Sequence, residues 1–311
     1  MTKIEVDAKK NVGRIKKSAF IKELKRNYLV YIVLIPIIIH FFIFQVIPFA
    51  GTIIISFFKW DYINKPKFAG LENWIRAFKD PIFLKALINT GRFTLYFVIP
   101  VVALGLILAI IINSKANKVG FVKGMYFLPV VTSFVVLAAI WRWLFASGNY
   151  GIINSILKVL GFPEQPFFVS PKQALPTLAL LSIYKCAGTM MIYYFGGIKN
   201  IPESLYEAAT IDGAGSWRKF TGITLPLLRP TTVYILMLAT NWSFQIFDSA
   251  YLITSGGPNN STQTVVYQIY INAFTGFNGG YASSLSVILF VIIFVITFIQ
   301  QKVLDKEVSY L

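Results

Sequence analysis

Six stretches of this chain are each apolar enough to cross a lipid bilayer, and this property constrains its fold more than any other. A transmembrane helix needs about 20 consecutive apolar residues, because each residue advances a helix by about 1.5 Å. The stretches that meet this requirement are residues 28–58, whose front part is the predicted span, and residues 90–112, 125–145, 174–197, 228–252 and 282–301. The sequence therefore predicts an all-α integral membrane protein with six transmembrane helices.

Composition supports a membrane protein and argues against a nucleic-acid partner. Hydrophobic residues make up 56% of the 311 positions and charged residues only 14%, whereas soluble globular proteins carry about 25% charged residues. The net charge of +16 is concentrated in a few short segments between the apolar runs. Lipid headgroups and membrane orientation explain positive charge in such places, so the predicted partner is the bilayer and not nucleic acid.

The distribution of lysine and arginine predicts the orientation. If the N-terminus is cytoplasmic, the inner segments 1–27, 113–124, 198–229 and 302–311 carry 18 of these residues and the outer segments carry 8. Loops on the cytoplasmic side are normally enriched in them, so both termini are predicted to be cytoplasmic. The domains predicted are a basic tail at 1–27, a transmembrane domain at 28–301 and a short tail at 302–311.

Few residues are available for catalysis or for metal binding. Cys186 is the single cysteine and His40 the single histidine, which excludes an intrachain disulfide and argues against a zinc site or a histidine-based active site. No G-x-x-x-x-G-K-[ST] motif is present to hold a nucleotide phosphate. We therefore expect no catalytic residue, no metal ligand and no cofactor bound by this chain itself.

The segment EAATIDGAGSWRKFTGITLPLL, Glu207 to Leu228, is the most informative predicted loop. Pro202 suits the start of a short helix because its missing N–H is not needed there, and Gly213 suits the end. These capping residues would also be consistent with an interfacial helix that only connects two transmembrane spans. The spacing of Glu207-Ala208-Ala209, Gly213 and Ile223-x-Leu225-Pro226 resembles the EAA signature of permease subunits of binding-protein-dependent ABC importers.

Other motifs extend the resemblance over most of the chain. They resemble the sugar and glycerol-phosphate branch of these permeases, and include FFKWD (Phe57–Asp61), GLENW (Gly70–Trp74), LPVV (Leu128–Val131), ITSGGPNNST (Ile253–Thr262) and YASSLSVILF (Tyr281–Phe290). The resemblance implies a MetI-like fold of six helices in a bacterial cell membrane. It also implies a cytoplasmic coupling helix in the loop 198–226.

The resemblance implies partners as well. These are a second homologous permease subunit, two ABC ATPase subunits that bind ATP and magnesium, and an extracytoplasmic solute-binding protein. The residues implied to couple the permease to an ATPase are Glu207, Ala208, Ala209, Asp212 and Gly213.

Polar residues inside predicted spans are candidates for the substrate pathway, because a charged group in a bilayer is costly unless it is paired or faces water. Lys185 is predicted either to face the translocation cavity or to meet a partner subunit. Arg142 and Asp248 lie at similar depth and are predicted to pair, although Asp248 also belongs to the candidate pathway. The remaining candidates combine aromatic, amide and hydroxyl groups that suit a sugar, and are Ser182, Tyr184, Trp242, Ser243 and Gln245. Packing between helices is the alternative for them.

The sequence leaves the substrate open. A neutral oligosaccharide is the first hypothesis, and the charge of Lys185 also fits an acidic sugar or glycerol phosphate. A secondary transporter that works without ATP is the competing class. It would need acidic residues within the membrane for ion coupling, and the inner halves of these spans contain none.

Overall fold

Helices dominate the computed structural model, which describes residues 26–113, 124 and 128–304. The predicted N-terminal tail up to residue 25, the inner segment 114–123 and the end of the C-terminal tail lie outside these residues. Of the described residues, those from 26 to 54 belong to one compact unit and those from Ile55 onward to another. A small antiparallel hairpin, β1 (Phe58–Lys59) with β2 (Lys67–Phe68), adds to the predicted all-α fold.

The helices are numbered here in chain order. Their bounds are α1 (Tyr28–Ile55), α2 (Glu72–Lys79), α3 (Pro81–Asn113), α4 (Phe134–Leu144), α5 (Ile152–Val159), α6 (Ala174–Lys199), α7 (Glu203–Ile211), α8 (Ser216–Leu227), α9 (Arg229–Phe244), α10 (Val265–Tyr270) and α11 (Gly279–Leu304). Shorter helical turns occur at Gly148–Tyr150, Phe167–Val169, Ala250–Thr254 and Ile271–Thr275.

Four of these helices are long and apolar enough to cross a membrane, namely α1, α3, α6 and α11. Together, α8 and α9 form a fifth candidate span that bends by 63°. The predicted third span is described from Leu128 onward and contains the 11-residue apolar helix α4. The structure thus agrees with a multi-span helical membrane protein, but two of the six predicted spans are not continuous helices.

The two broken spans are the third and the fifth. Residues 128–131 are helical, the helix is interrupted at Thr132 and Ser133, and α4 then begins. The fifth span ends as α9 at Phe244, is irregular at Ile246 and Phe247, and resumes before the π-helical turn Ala250–Thr254. Non-helical backbone at membrane depth is tolerated only inside the protein or beside a water-filled cavity, so these breaks indicate where such a cavity lies.

The core is built around α3 and α6, which run in parallel. A β-carbon added to Gly105 of α3 would lie 2.5 Å from the β-carbon of Met190 in α6, so only glycine permits this approach. A β-carbon on Gly197, near the end of α6, would lie 2.6 Å from Oγ1 of Thr231 in α9. Small residues let membrane helices approach closely, and here they fix α6 against both neighbours.

Candidate functional site

The segment α7, Glu203–Ile211, contains Glu207, Ala208 and Ala209 of the predicted signature and is called the EAA helix below. Pro202 precedes it, as predicted, and Gly213 follows it with φ of +73°. The N–H of Gly213 donates to the carbonyl of Thr210, and the N–H of Ala214 donates to the carbonyl of Ala209. This pair of bonds is a Schellman motif, which needs the left-handed backbone that glycine adopts at little cost, so the predicted glycine cap is confirmed.

The surface of the EAA helix is open among the described residues. Glu207, Ala208, Asp212 and Gly213 are exposed, and Ala209 is half-buried. Nearby apolar side chains are exposed as well, with Ile211 at 87% and Trp217 at 75% of their full accessibility. The structure therefore places the five predicted coupling residues on one short, largely uncovered helix and the turn that ends it.

Two side-chain hydrogen bonds attach the EAA helix to α8. The hydroxyls of Tyr206 and Thr224 lie 2.8 Å apart, and Nζ of Lys219 donates to Oγ1 of Thr210 over 2.7 Å. Thr224 is buried in a π-helical turn of α8. Because α8 continues through the 63° bend into α9, these two bonds connect the EAA helix to a predicted transmembrane span.

A cavity of about 350 Å³ lies between α3, α6, α9 and the two helix breaks. Five of the seven predicted pathway residues line it, namely Ser182, Lys185, Trp242, Gln245 and Asp248. Val130 and Phe134 line it from the break in the third span, and Ile246 and Phe247 from the break in the fifth. The irregular backbone of both spans thus borders one cavity.

Lys185 occupies a position that neither sequence hypothesis described fully. It lines the cavity, and its ammonium group donates to the carbonyl oxygens of Pro129 (3.0 Å), Val130 (2.9 Å) and Thr132 (2.6 Å). These carbonyls lie where the third span is interrupted, and no backbone N–H of the described residues donates to them. The lysine thus satisfies the broken helix end, and its charge is stabilised by the carbonyl dipoles of that end.

Two predicted pathway residues do not line the cavity. Ser243 is fully buried and hydrogen bonds with the carbonyl of Thr240 (2.7 Å) and with Oγ1 of Thr94 (2.9 Å). This arrangement matches the alternative of packing between helices. The ring of Tyr184 lies against Trp141, with centroids 5.8 Å apart.

Ser249 lines the cavity and was missed by the sequence reasoning. It is only 1% exposed, and its hydroxyl has no hydrogen-bond partner within the described part of the chain. A buried hydroxyl without a partner costs free energy, so it is suited to bond with a ligand that enters the cavity. The sequence feature that could have identified Ser249 is its position directly after the polar stretch Asn241–Asp248.

The predicted pair of Arg142 and Asp248 is wrong. In the described ranges, the ion pair present is that of Lys59 with Glu72. Arg142 lines a different cavity, together with Tyr150 and Pro258, whereas Asp248 lines the cavity at the helix breaks. Similar depth along two spans did not place the two side chains side by side.

The described residues contain no group of three His, Cys, Asp or Glu side chains that would hold a metal ion. The chemistry that the cavity offers is hydrogen bonding from hydroxyl and amide groups, one lysine, one aspartate and an aromatic surface.

Comparison with known proteins places the chain among transport components. A family model described as "Binding-protein-dependent transport system inner membrane component" matches residues 13–310. The arabinooligosaccharides transport system permease protein AraP of Bacillus subtilis is 33% identical over 83% of each chain. The sulfoquinovosyl glycerol transport system permease protein SmoG of Agrobacterium fabrum is 34% identical over 86% of this chain and 87% of its own.

Solved structures have the same fold. A bacterial ABC transporter that imports the acidic polysaccharide alginate contains a chain that matches with a TM-score of 0.81 and 24% identity, over 94% of this chain and all of its own. A bacterial alginate ABC transporter in complex with a pentasaccharide-bound periplasmic protein matches with a TM-score of 0.80 and 25% identity, over 92% of this chain and 99% of its own. The function of this chain is therefore transport, and the chain belongs to the family of inner membrane components of binding-protein-dependent transport systems.

Proposed function

We propose that this chain is the permease subunit of an ATP-driven importer that moves a sugar or oligosaccharide through the cavity at the helix breaks. The observation that carries the proposal is that α6 and α9, the two helices joined by the loop containing the EAA helix, are also two walls of that cavity. A force applied to the exposed EAA helix therefore reaches the candidate binding site at both walls.

The lining of the cavity suits a carbohydrate. The indole of Trp242 offers a flat apolar surface to the CH face of a sugar ring, and the Gln245 amide and the unpartnered Ser249 hydroxyl offer hydrogen bonds to its rim. The volume of about 350 Å³ falls in the usual range for small-ligand sites. The names of the relatives support this substrate class, since AraP belongs to an arabinooligosaccharide system.

The charges of the cavity favour a neutral substrate. Lys185 and Asp248 carry opposite charges, and all three N–H groups of the Lys185 ammonium already donate to backbone carbonyls. An anionic sugar would find no free donor on this lysine. An acidic sugar is the second candidate, because SmoG is named for sulfoquinovosyl glycerol and the two alginate transporters handle an acidic polysaccharide.

The complete machine in this proposal has further subunits. A second, homologous permease would complete the pathway, two ATPase subunits would bind ATP and magnesium and contact the EAA helices, and an extracytoplasmic binding protein would deliver the sugar. The orientation that follows from the basic segments places the EAA helix and both termini in the cytoplasm. The whole segment 28–301 then acts as one permease domain.

Transport would proceed by alternating access. ATP-driven closure of the ATPase subunits moves the EAA helix, and the Tyr206–Thr224 contact passes this motion through α8 to α9. The cavity changes from inward-facing to outward-facing, and the docked binding protein releases its sugar into it. The ATPase subunits on one side of the membrane and the docked binding protein on the other would each shift the equilibrium between the inward-facing and outward-facing states.

Uptake by the complete importer in liposomes, with the binding protein and a panel of neutral and acidic sugars, tests the proposal. Trp242→Ala and Ser249→Ala should raise the KM for uptake, while Trp143→Ala, an exposed tryptophan of α4 outside the cavity, should not. Glu207→Ala should lower uptake without changing the KM for sugar. Uptake that persists after the ATPase subunits are removed would contradict an ATP-driven importer.

A further inference from the structure

A second cavity, of about 360 Å³, lies at the end of the helices opposite to the EAA helix. Its walls are the first half of α3, the residues around the start of α6 and the loop that follows the π-helical turn Ala250–Thr254. Since the EAA helix follows the end of α6, this cavity and the EAA helix are separated by the length of α6, which is about 39 Å at 1.5 Å per residue. It is distinct from the cavity at the helix breaks.

Positive charge dominates this second cavity. Lys85, Arg92 and Lys172 line it, and no described aspartate or glutamate does. Nζ of Lys85 donates to the carbonyl oxygen of Asn259 over 2.7 Å. The guanidinium of Arg92 and the ammonium of Lys172 have no ion-pair or hydrogen-bond partner within residues 26–113 and 128–304. Three like charges in one concave surface repel each other, and an anion between them would remove that repulsion.

Two neutral residues complete the site. Asn89 is buried and donates to the carbonyls of Asn260 (2.9 Å) and Gln263 (3.0 Å), which fixes the loop against α3. Ser261 lines the cavity in that loop, is only 8% exposed, and its hydroxyl has no partner within the described part of the chain. A buried hydroxyl beside unpaired cations is a donor that lacks an acceptor, which points to an anionic ligand.

The same face of α3 continues as an apolar surface. With about 100° between successive residues of a helix, Ile99 lies within about 20° of Arg92, and Ile88 and Leu95 lie within about 60° of it. All three apolar side chains are exposed, as is Tyr96, which lines the cavity. Tyrosine is typical of the boundary between membrane and water. The site therefore combines a cationic concave surface with an adjoining apolar face within a candidate membrane span.

We propose that this cavity binds the headgroup phosphate of an anionic phospholipid, such as phosphatidylglycerol, while an acyl chain lies along Leu95 and Ile99 of α3. Arg92 and Lys172 donate charged hydrogen bonds to the phosphate, and the hydroxyl of Ser261 donates a neutral one. A soluble anion would use the cations but not the apolar face. The lipid would hold α3, α6 and the loop at 258–261 together from the membrane side.

Native mass spectrometry of the complete importer tests this proposal, with phosphatidylglycerol and phosphatidylcholine of identical acyl chains as probes. We expect the wild-type protein to retain phosphatidylglycerol in preference. Arg92→Gln and Lys172→Gln should each reduce that preference about fivefold, as the loss of one charge near an anionic lipid predicts. Ser261→Ala should reduce it less. Lys79→Gln removes an exposed cation of α2 outside the cavity and is the matched control.

Three outcomes would overturn the proposal. The first is equal retention of both lipids by the wild-type protein, and the second is an equal effect of Lys79→Gln and Arg92→Gln. The third is displacement of phosphatidylglycerol by millimolar inorganic phosphate, which would indicate a site for soluble anions. Since Arg92 and Lys172 are exposed surface residues, their variants are expected to fold, and unchanged thermal unfolding in zwitterionic detergent verifies this.

Discussion

The hydroxyl oxygens of Tyr206 and Thr224 lie 2.8 Å apart and link the EAA helix to the buried side of α8. The link joins residues 18 positions apart, across the glycine-containing turn that follows the helix. Without it, the exposed EAA helix would be held to α8 through its ends and the Lys219–Thr210 bond. In the proposed transport cycle, the strength of this link would govern how closely α8 follows the EAA helix.

Tyr206→Phe removes one hydroxyl and is expected to loosen this link. A typical net hydrogen bond contributes about 0.5–1.5 kcal/mol, so folding should change little. Sugar uptake per ATP hydrolysed should fall, because part of the motion of the EAA helix no longer reaches α8. A double-mutant cycle with Thr224→Val isolates the pair. The control is Tyr150→Phe at an exposed tyrosine, and an equal loss in both variants would disprove the role of the link.

Gly213→Ala should distort the end of the EAA helix. At a φ of +73°, a side chain costs about 1–2 kcal/mol, and relief of that strain would break the bonds that Gly213 and Ala214 donate. We expect lower uptake at normal affinity for sugar. Gly215→Ala is the matched control, because Gly215 has a φ of −70° and open space around its α-carbon. A normal uptake rate of Gly213→Ala would argue that the left-handed turn has no functional importance.

Gly105→Ala should destabilise the contact of α3 with α6. The added methyl would lie 2.5 Å from the β-carbon of Met190, and overpacking of this kind costs about 1–3 kcal/mol. Thermal unfolding of the purified protein in detergent measures the effect. Gly91→Ala in the same helix meets no atom within 4 Å and should leave the unfolding temperature unchanged or raise it. Equal unfolding temperatures of the two variants would show that the contact can relax.

Lys185→Met should destabilise the broken third span. It leaves the carbonyls of Pro129, Val130 and Thr132 without their donor, and a buried unsatisfied polar group costs about 1–3 kcal/mol. Lys185→Arg keeps the charge and should retain part of the stability. Lys302→Met, at the exposed end of α11, is the control for loss of a positive charge. An unfolding temperature of Lys185→Met equal to that of the wild type would contradict the capping role.

Local sequence features predicted the EAA helix well. Its start after Pro202 and its end at Gly213 depend on backbone preferences of single residues, which act wherever those residues occur. The four uninterrupted spans were predicted because about 20 apolar residues in a row have few other stable arrangements in a bilayer.

The interruptions of the other two spans depend on distant contacts. Lys185 caps carbonyls that precede it by 53 to 56 positions, and no local pattern indicates which backbone groups a half-buried lysine will meet. The same dependence on distant contacts explains why the sequence placed Ser243 among the pathway candidates and missed Ser249. Both are polar and six positions apart, yet only the position of Thr94 on α3 determines that Ser243 is used in packing. The break between the two serines leaves Ser249 at the cavity instead.

The close approach of Gly197 to Thr231 has a mechanical consequence. This contact lies between the EAA helix and the cavity, with Lys185 about 18 Å along α6 and Trp242 about 16 Å along α9 on the cavity side. Two helices held at such a point can rotate about it more easily than they can separate. A rotation of about 10° there would displace the cavity ends of α6 and α9 by about 3 Å, comparable to the width of a water molecule. In the proposed transport cycle the glycine would act as a pivot, and a small tilt at the membrane surface would suffice to widen or narrow the cavity.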